Sequence, residues 1–315
     1  MKENEDIWKV CVRCKTFNHA QYIEDALNGF TMQETTFPYL CCIIDDASTD
    51  GEPVVIRNYL QMHFDLQDAS LVRNEDNDDF SLIFARHKTN IQCYFAVLLL
   101  KYNHYNINKD TIHYFKEWER NTEYIANCEG DDYWINPLKL QKQVDFLENH
   151  LQHSLCFCAN QRLLPTGIIE IDKRYESNVE VCPMNDIILG GGGYMATNSM
   201  LYRKSLFVPY STWAVNCPIG DLPLMLTLSH KGKVGYLADV MCVYRICSVG
   251  SWSQSMSTDR KRRNRHYRAI KIMWHQFDEW SNGMYHETVV KKIRINMMNH
   301  YKSEIKSLIR RILKK

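Results

Sequence analysis

Long hydrophobic runs are missing from this 315-residue chain: the longest uninterrupted apolar stretch, Cys93–Leu100, is eight residues, against the roughly 20 that span a bilayer. A transmembrane helix is therefore not expected. The first residues, MKENED, are acidic and lead into no apolar segment, so no secretory signal is expected either. Glycine and proline are sparse, 13 and 8 residues, which excludes collagen-like and low-complexity architectures. Cys11 and Cys14 have no second pair at the same spacing to join them. In an extended strand a three-residue offset points the two thiols to opposite faces, so a zinc or redox pair is not expected. The twelve cysteines read as reduced thiols of a cytoplasmic protein, with Cys41, Cys42, Cys156 and Cys158 as small core residues.

What is there is an ordinary globular composition, 45% apolar and 24% charged, with length enough to bury a core without disulfides or metals. The net charge of +1 hides an asymmetry. Residues 1–259 hold 22 Lys/Arg against 33 Asp/Glu, and residues 260–315 hold 16 against 4, so a body of −11 carries a tail of +12. Such a tail suits anionic partners such as a lipid surface.

Through the first half, apolar strands alternate with helix-period segments. Strands are expected at 8–12, 39–44, 70–72 (weak) and 123–128, and helices at 20–32, 53–62 and 92–102. Residues 39–44 are apolar on both faces, as a central parallel strand should be. The alternation predicts an α/β fold with a mostly parallel central sheet flanked by helices. Residues 101–120 predict a loop and a short amphipathic helix. The four glycines at 190–193 lack the Lys-Ser/Thr of a phosphate loop and predict a turn or a mobile acceptor loop.

Two of these strands stop at carboxylates, one at Asp45, Asp46 and Asp50, the other at Glu129, Asp131 and Asp132. In open α/β sheets, ligands bind beyond the carboxyl ends of the strands. Asp46, Ser48 and Asp50 could simply cap the next helix, but two acidic clusters at equivalent strand ends predict a site for a metal and a polar ligand.

Segments 10–18 (VCVRCKTFN), 44–51 (IDDASTDG) and 127–134 (NCEGDDYW) have the order and spacing of family-two glycosyltransferases. Segments 136–147 (NPLKLQKQVDFL), 197–204 (TNSMLYRK), 220–224 (GDLPL), 243–245 (VYR) and 250–253 (GSWS) resemble a bacterial surface-glycan branch of that family. The resemblance spans residues 7–255 and implies a glycosyltransferase A (Rossmann-like) fold, an inverting single displacement and a nucleotide-diphosphate sugar donor, UDP-sugar foremost. It places a catalytic domain at 1–255 (1–135 the nucleotide-sugar half, 136–255 the acceptor half) and a basic helical extension at 256–315. By residue-to-residue match, Asp46, with Asp45 beside it, hydrogen-bonds the nucleotide base, and Thr16 and Asn18 line the nucleotide. Asn90, Glu129 and Arg245 complete the implied donor-binding set, Glu129 toward the ribose or sugar and Arg245 toward the phosphates. Asp131, with Asp132 as second ligand or helix cap, stands at the family's Asp-x-Asp position and would hold Mg²⁺ or Mn²⁺. Asp221 matches the catalytic base.

The chemistry supports these roles. Expelling a nucleoside diphosphate accumulates charge that a divalent ion on hard oxygen ligands stabilises, and the phosphates supply part of its coordination shell. The acceptor hydroxyl needs a base within hydrogen-bond reach on the opposite face, and a carboxylate serves. Plainer roles stand beside these: Asp131 or Asp132 could cap a helix over 138–147, Asp221 one over 222–229, and Trp134 could pack or stack on an acceptor sugar. Two departures from the pattern are Cys247, where relatives often carry His, and Glu129, where Asp is commoner.

In the tail, Val290, Ile293, Met297, Tyr301, Ile305, Leu308 and Ile312 recur at helical spacing among Lys291, Lys292, Arg294, Lys302, Lys306, Arg310 and Arg311. Such a helix either packs on the catalytic domain or lies on a membrane surface near a lipid-linked acceptor. Nucleic acid is not an expected partner, since no recognised binding module accompanies the charge. The reading is a cytoplasmic hexosyl- or N-acetylhexosaminyltransferase, peripheral on the inner membrane face if the tail docks there. It would act on a carbohydrate or lipid-linked glycan acceptor in surface polysaccharide synthesis. The alternatives are a metal-dependent nucleotidyltransferase, although residues 13–19 lack its glycine-rich basic loop, and a catalytically degenerate sugar-nucleotide-binding protein.

Overall fold

A computed structural model describes residues 8–68, 72–107, 109–207, 212–214, 217, 219–247, 254, 256 and 259–312, with side chains of the last helix as far as residue 305. In chain order the strands are β1 (Trp8–Thr16), β2 (Tyr39–Asp45), β3 (Arg73–Asp76), β4 (Phe80–Arg86), β5 (Cys93–Leu100), β6 (Thr122–Asn127), β7 (Tyr133–Trp134), β8 (His153–Leu163), β9 (Ile169–Asp172), β10 (Met200–Arg203) and β11 (Lys233–Arg245). The α-helices are α1 (Ile23–Thr31), α2 (Glu52–His63), α3 (Ile112–Trp118), α4 (Lys139–Asn149), α5 (Met184–Gly190), α6 (Asp221–Lys231), α7 (Arg260–Trp280) and α8 (His286–Ile312).

All the strands join one sheet, in the order β3-β4-β5-β2-β1-β6-β10-β8-β11-β7, with β9 paired to β8. Its centre, β5-β2-β1-β6, is parallel throughout. Thr16 lies opposite Asp45 in the register, so β1 and β2 end together at one edge of the sheet, where the chain leaving β6 also emerges. Antiparallel strands extend both flanks. This is the expected α/β architecture with a parallel centre.

Strand β5 corrects the helix expected at 92–102. Its eight residues are apolar, and it is paired on both sides, with β2 and with β4. A short unbroken apolar run is what a strand buried on both faces looks like, and periodicity alone does not separate it from a buried helix. The weak strand expected at 70–72 falls partly on residues outside those described, and β3 itself is formed by Arg73–Asp76. Helix α1 begins at Ile23 rather than at residue 20; residues 20–22 form a turn, with Tyr22 N–H on the His19 carbonyl at 2.8 Å, that leads into it. The two thiols of β1 do face opposite ways: Cys14 packs with Val10, Ile23 and Phe30, and Cys11 with Trp8, Leu40 and Phe84.

Trp134 is fully buried; its indole N–H donates to the Asn198 carbonyl at 2.9 Å and its ring meets Phe30 edge-on. It therefore packs and has no face open to a sugar. The basic extension also shares a core with the body: Trp274, Phe277, Val289 and Ile293 lie in one cluster with Phe157, Tyr202 and Leu226. The glycine run sits beneath this docking. Gly191 has φ +61° and an added Cβ would stand 2.8 Å from Lys292 Nζ, which donates to the Leu189 carbonyl. The run is a tight turn seated under α8.

Candidate active site

The acidic clusters meet where β1, β2 and β6 end. Past the end of β6, Cys128 N–H still bonds the Arg13 carbonyl and Gly130 N–H the Lys15 carbonyl, so residues 128–130 follow β1 to its tip. Gly130 is required there, because a Cβ would lie 2.0 Å from Thr16 Oγ1. That close passage sets Glu129 and Asp131 beside the β1 loop.

The loops after β1 and β2 are sewn together by a residue that sequence reading missed. Glu52, fully buried at the start of α2, accepts bonds from Thr16 Oγ1, from His19 N–H (2.8 Å) and from Ser48 Oγ (2.9 Å). Desolvation drives its carboxyl up to about 7 against these three donors. The only signal was an acid just after Gly51, one residue ahead of the helix expected at 53–62. Asn18, left-handed at φ 56°, accepts from Thr49 N–H at 2.8 Å, and its own N–H bonds Ser48 Oγ. Thr16 and Asn18 thus shape the loop pair.

The two aspartates after β2 differ. Asp45 is buried; one oxygen accepts from Ser48 N–H at 3.1 Å and the other, Oδ1, has no partner. Desolvation holds its carboxyl above the usual range. The Asp46 carboxylate accepts the N–H groups of His104 (2.6 Å) and Tyr105 (3.1 Å), and its carbonyl accepts Asn103 Nδ2. Asp46 therefore latches residues 103–105, the early part of the 101–120 insertion, onto the sheet edge.

At the end of β6, Glu129 is open to the cleft, yet its carboxyl is pushed up to about 7 by desolvation and by Asp131 and Asp221, with Lys15 pulling the other way. Asp221, first residue of α6, accepts from Thr197 Oγ1 at 3.0 Å and from Leu222 N–H at 2.8 Å, and desolvation raises its carboxyl too. It thus steadies the helix start while standing near Glu129. His19 is held below its usual range by desolvation, opposed by Asp131 and Asp50. Lys15 is a second residue that sequence reading passed over. It lies inside a quoted motif, is exposed, and interacts with Asp110, Glu129 and Asp46.

Besides Asp46, three expected site residues are placed elsewhere or used otherwise. Asn90 precedes β5 at the opposite end of the parallel strands; its amide donates to the carbonyls of Thr31 (2.9 Å) and Gln33 (2.8 Å) and to Tyr39 Oη (3.1 Å). It staples that end of the sheet and does not reach the cleft. Asp132 is buried and accepts Arg245 N–H at 2.9 Å, and desolvation together with Asp131 drives its carboxyl well up. Arg245 donates to the Asp131 carbonyl at 2.6 Å and to the Asp25 carboxylate, with its guanidinium between the rings of Tyr22 and Tyr133. Asp132 and Arg245 brace the turn that carries Asp131. At the start of α4, Leu138 N–H donates to Asn136 Oδ1 (2.9 Å), Lys139 N–H to the Asn136 carbonyl (3.2 Å) and Leu140 N–H to Gln33 Oε1 (3.1 Å).

Glu129 and Asp131 offer hard oxygen donors of the kind that Mg²⁺ or Mn²⁺ takes. Among the described residues no three His, Cys, Asp or Glu side chains converge to hold a metal unaided.

No protein-family model matches the chain. It is 32% identical over 254 residues to the uncharacterized protein Rv1520 of Mycobacterium tuberculosis (strain ATCC 25618 / H37Rv), an alignment covering 78% of this chain and 61% of the relative. The uncharacterized protein Mb1547 of Mycobacterium bovis matches to the same extent. The chain thus spans 61% of the length of these curated relatives. Among solved structures, S. aureus TarS 1-349 in complex with UDP-GlcNAc superposes with a TM-score of 0.55 at 14% identity, over 85% of this chain and 66% of that one. The same TarS fragment with UDP covers 95% and 92% at a TM-score of 0.51 and 12% identity. The mannosyltransferase PcManGT from Pyrobaculum calidifontis, in complex with GDP-Man and Mn²⁺, covers 93% and 74% at 0.50 and 13% identity. At these identities the likeness is one of fold: the chain has the α/β architecture of these structures, a mostly parallel central sheet flanked by helices.

Proposed function

We propose that the chain is an inverting, family-two glycosyltransferase that moves a hexose or N-acetylhexosamine from a nucleotide-diphosphate sugar, UDP-sugar first, to a carbohydrate or lipid-linked glycan acceptor. The observation that carries this reading is the set of carboxylates beyond the ends of β1, β2 and β6: residues 128–130 carry Glu129 and Asp131 along β1 to its tip, and Asp221 stands at the start of α6, bonded to Thr197 Oγ1 at 3.0 Å. Structures of the same fold with UDP-GlcNAc and with GDP-Man and Mn²⁺ support it.

In this reading the nucleotide lies in the loop pair built by Thr16, Asn18 and Glu52. The base lies against the segment after β2, where Asp46 is bonded to the insertion and Asp45 is buried beneath it. Lys15 draws the diphosphate toward the strand tips. Asp131 and Glu129 would hold Mg²⁺ or Mn²⁺, which when bound neutralises charge on the departing diphosphate. Asp221 takes the proton of the acceptor hydroxyl as that oxygen bonds the anomeric carbon, and its raised pKa makes it the stronger base. The pathway proposed is bacterial surface polysaccharide synthesis, with the enzyme peripheral on the inner membrane face. Among the described residues no helix is long and apolar enough to cross a membrane.

Calorimetric titration of UDP, with Mn²⁺ and with EDTA, tests the donor site. Binding is expected to require the metal and to be lost in Asp131→Asn. In Asp221→Asn, UDP binding should persist while turnover of a UDP-sugar falls about 10²–10⁴-fold, the usual contribution of a positioned base. A variant that binds and turns over as wild type removes the assignment of Asp221, and absence of UDP binding removes the UDP-sugar donor.

A further inference from the structure

The apolar stripe of the last helix is split by the fold. Near its beginning Ile293 is buried against α5 and α7 with Lys292, and it is Val289, not the expected Val290, that is buried beside it. Beyond that, Met297, Met298, Tyr301 and Ile305 are 54%, 59%, 70% and 42% exposed. These four fall on one side of α8 by their three- and four-residue spacing, with the exposed Lys291, Arg294 and Lys302 beside them. Leu308 and Ile312, expected to continue the stripe, have side chains outside those described. Met297 also lines a groove between the two helices, where Tyr267, Arg268 and Lys271 of α7 form the other wall. Of the few acids on this hairpin, Glu304 is spent on Arg260 and Arg263, and Asp278 on His286.

We propose that this face of the α7–α8 hairpin docks on an anionic lipid surface, with Met297, Met298, Tyr301 and Ile305 entering the headgroup boundary and Arg268, Lys271, Arg294 and Lys302 on the lipid phosphates. The proposal deepens the membrane-surface part of the reading above and is independent of the donor chemistry. Charge complementarity selects the occupant. Residues 260–315 hold 16 Lys/Arg against 4 Asp/Glu, while residues 1–259 hold 22 against 33. A negative surface attracts the hairpin and repels the body, which orients the molecule as well as binding it. Long flexible apolar side chains flanked by cations are the pattern of a helix lying in the interface plane. The buried half of α8 anchors that face rigidly to the catalytic core through Trp274 and Phe277, so docking would fix the distance of the cleft from the bilayer.

The test is co-sedimentation of the full chain with vesicles of phosphatidylglycerol and phosphatidylcholine, or of phosphatidylcholine alone. Binding to the anionic vesicles is expected to be at least about tenfold stronger and to weaken in high salt. The triple substitution Met297→Ser/Tyr301→Ser/Ile305→Ser and, separately, Arg268→Glu/Lys271→Glu should each cut it by about tenfold or more, with UDP titration unchanged. All five positions are exposed, and the charge reversal carries the test if the triple variant fails to fold. No sedimentation, equal binding to neutral vesicles, or full binding by both variants overturns the proposal. So does a dimer, seen by light scattering, that the triple variant dissolves while wild type ignores vesicles. Failure here with intact UDP binding would leave the donor reading standing, and the reverse result would leave this surface standing.

Discussion

At the residue scale the loop pair beside the site depends on a carboxyl taken out of water. Glu52, fully buried, is pushed up to about 7, by desolvation first. The unfolded chain would ionise it near pH 4.5, so between those values the folded state binds the extra proton. Stability should therefore fall as pH rises from about 5 to 7. Glu52→Gln is expected to flatten part of that fall, since the buried amide carries no charge to desolvate; denaturant midpoints across that pH range read it directly. A variant with the wild-type slope would mean that Glu52 ionises normally. Gly130 makes a sharper case. An Ala there must displace Thr16, whose hydroxyl is already committed to Glu52, so Gly130→Ala should cost about 1–3 kcal/mol by overpacking and weaken UDP binding in calorimetry. This residue was legible as the middle of an acidic motif, but the reason for a glycine was not. It lies in a contact with Thr16, more than a hundred residues earlier in the chain.

Elements show where local pattern reaches and where it stops. Strands β1, β2 and β6 and the carboxylates beyond them were readable, because alternation, apolar runs and abrupt acidic ends are all local signals. Strand β5 was not: eight apolar residues look alike in a buried helix and a buried strand, and only the partners β2 and β4 decide. The fates of Asn90, Asp132 and Arg245 are likewise set by what lies across the sheet from them. The insertion at 101–120 was foreseen as a loop and short helix, yet its anchor was assigned to the nucleotide. Asp46 receives two backbone N–H groups from it, and His104 is fully buried behind that contact. Hydrogen bonds to a charged acceptor contribute about 1.5–3 kcal/mol. Asp46→Ala should therefore speed amide exchange at His104 and Tyr105 by about tenfold to a hundredfold while leaving β5 protected. Unchanged exchange would show that the burial of His104 alone holds the insertion.

The whole molecule poses the question of whether the basic extension is a separate domain, as the charge boundary near residue 260 suggests, or part of the body. The packing answers at the level of contacts: fully buried Trp274 and Phe277 share a cluster with Ile125 of β6, Phe157 of β8 and Leu226 of α6, and Lys292 closes over Gly191. Composition could not reveal this, because the residues that dock are a minority embedded in a strongly cationic stretch. If the core is truly common, the extension cannot melt by itself. Removing the Trp274 side chain should then destabilise the entire chain by about 3–5 kcal/mol, the range for a buried aromatic truncated to Ala. The expected result for Trp274→Ala is a single unfolding transition, displaced to lower denaturant equally by far-ultraviolet circular dichroism and by UDP-binding competence. An early transition confined to helix signal, with UDP binding retained, would instead make α7 and α8 an appended unit. It would also loosen the rigid link between membrane face and cleft on which the docking geometry depends.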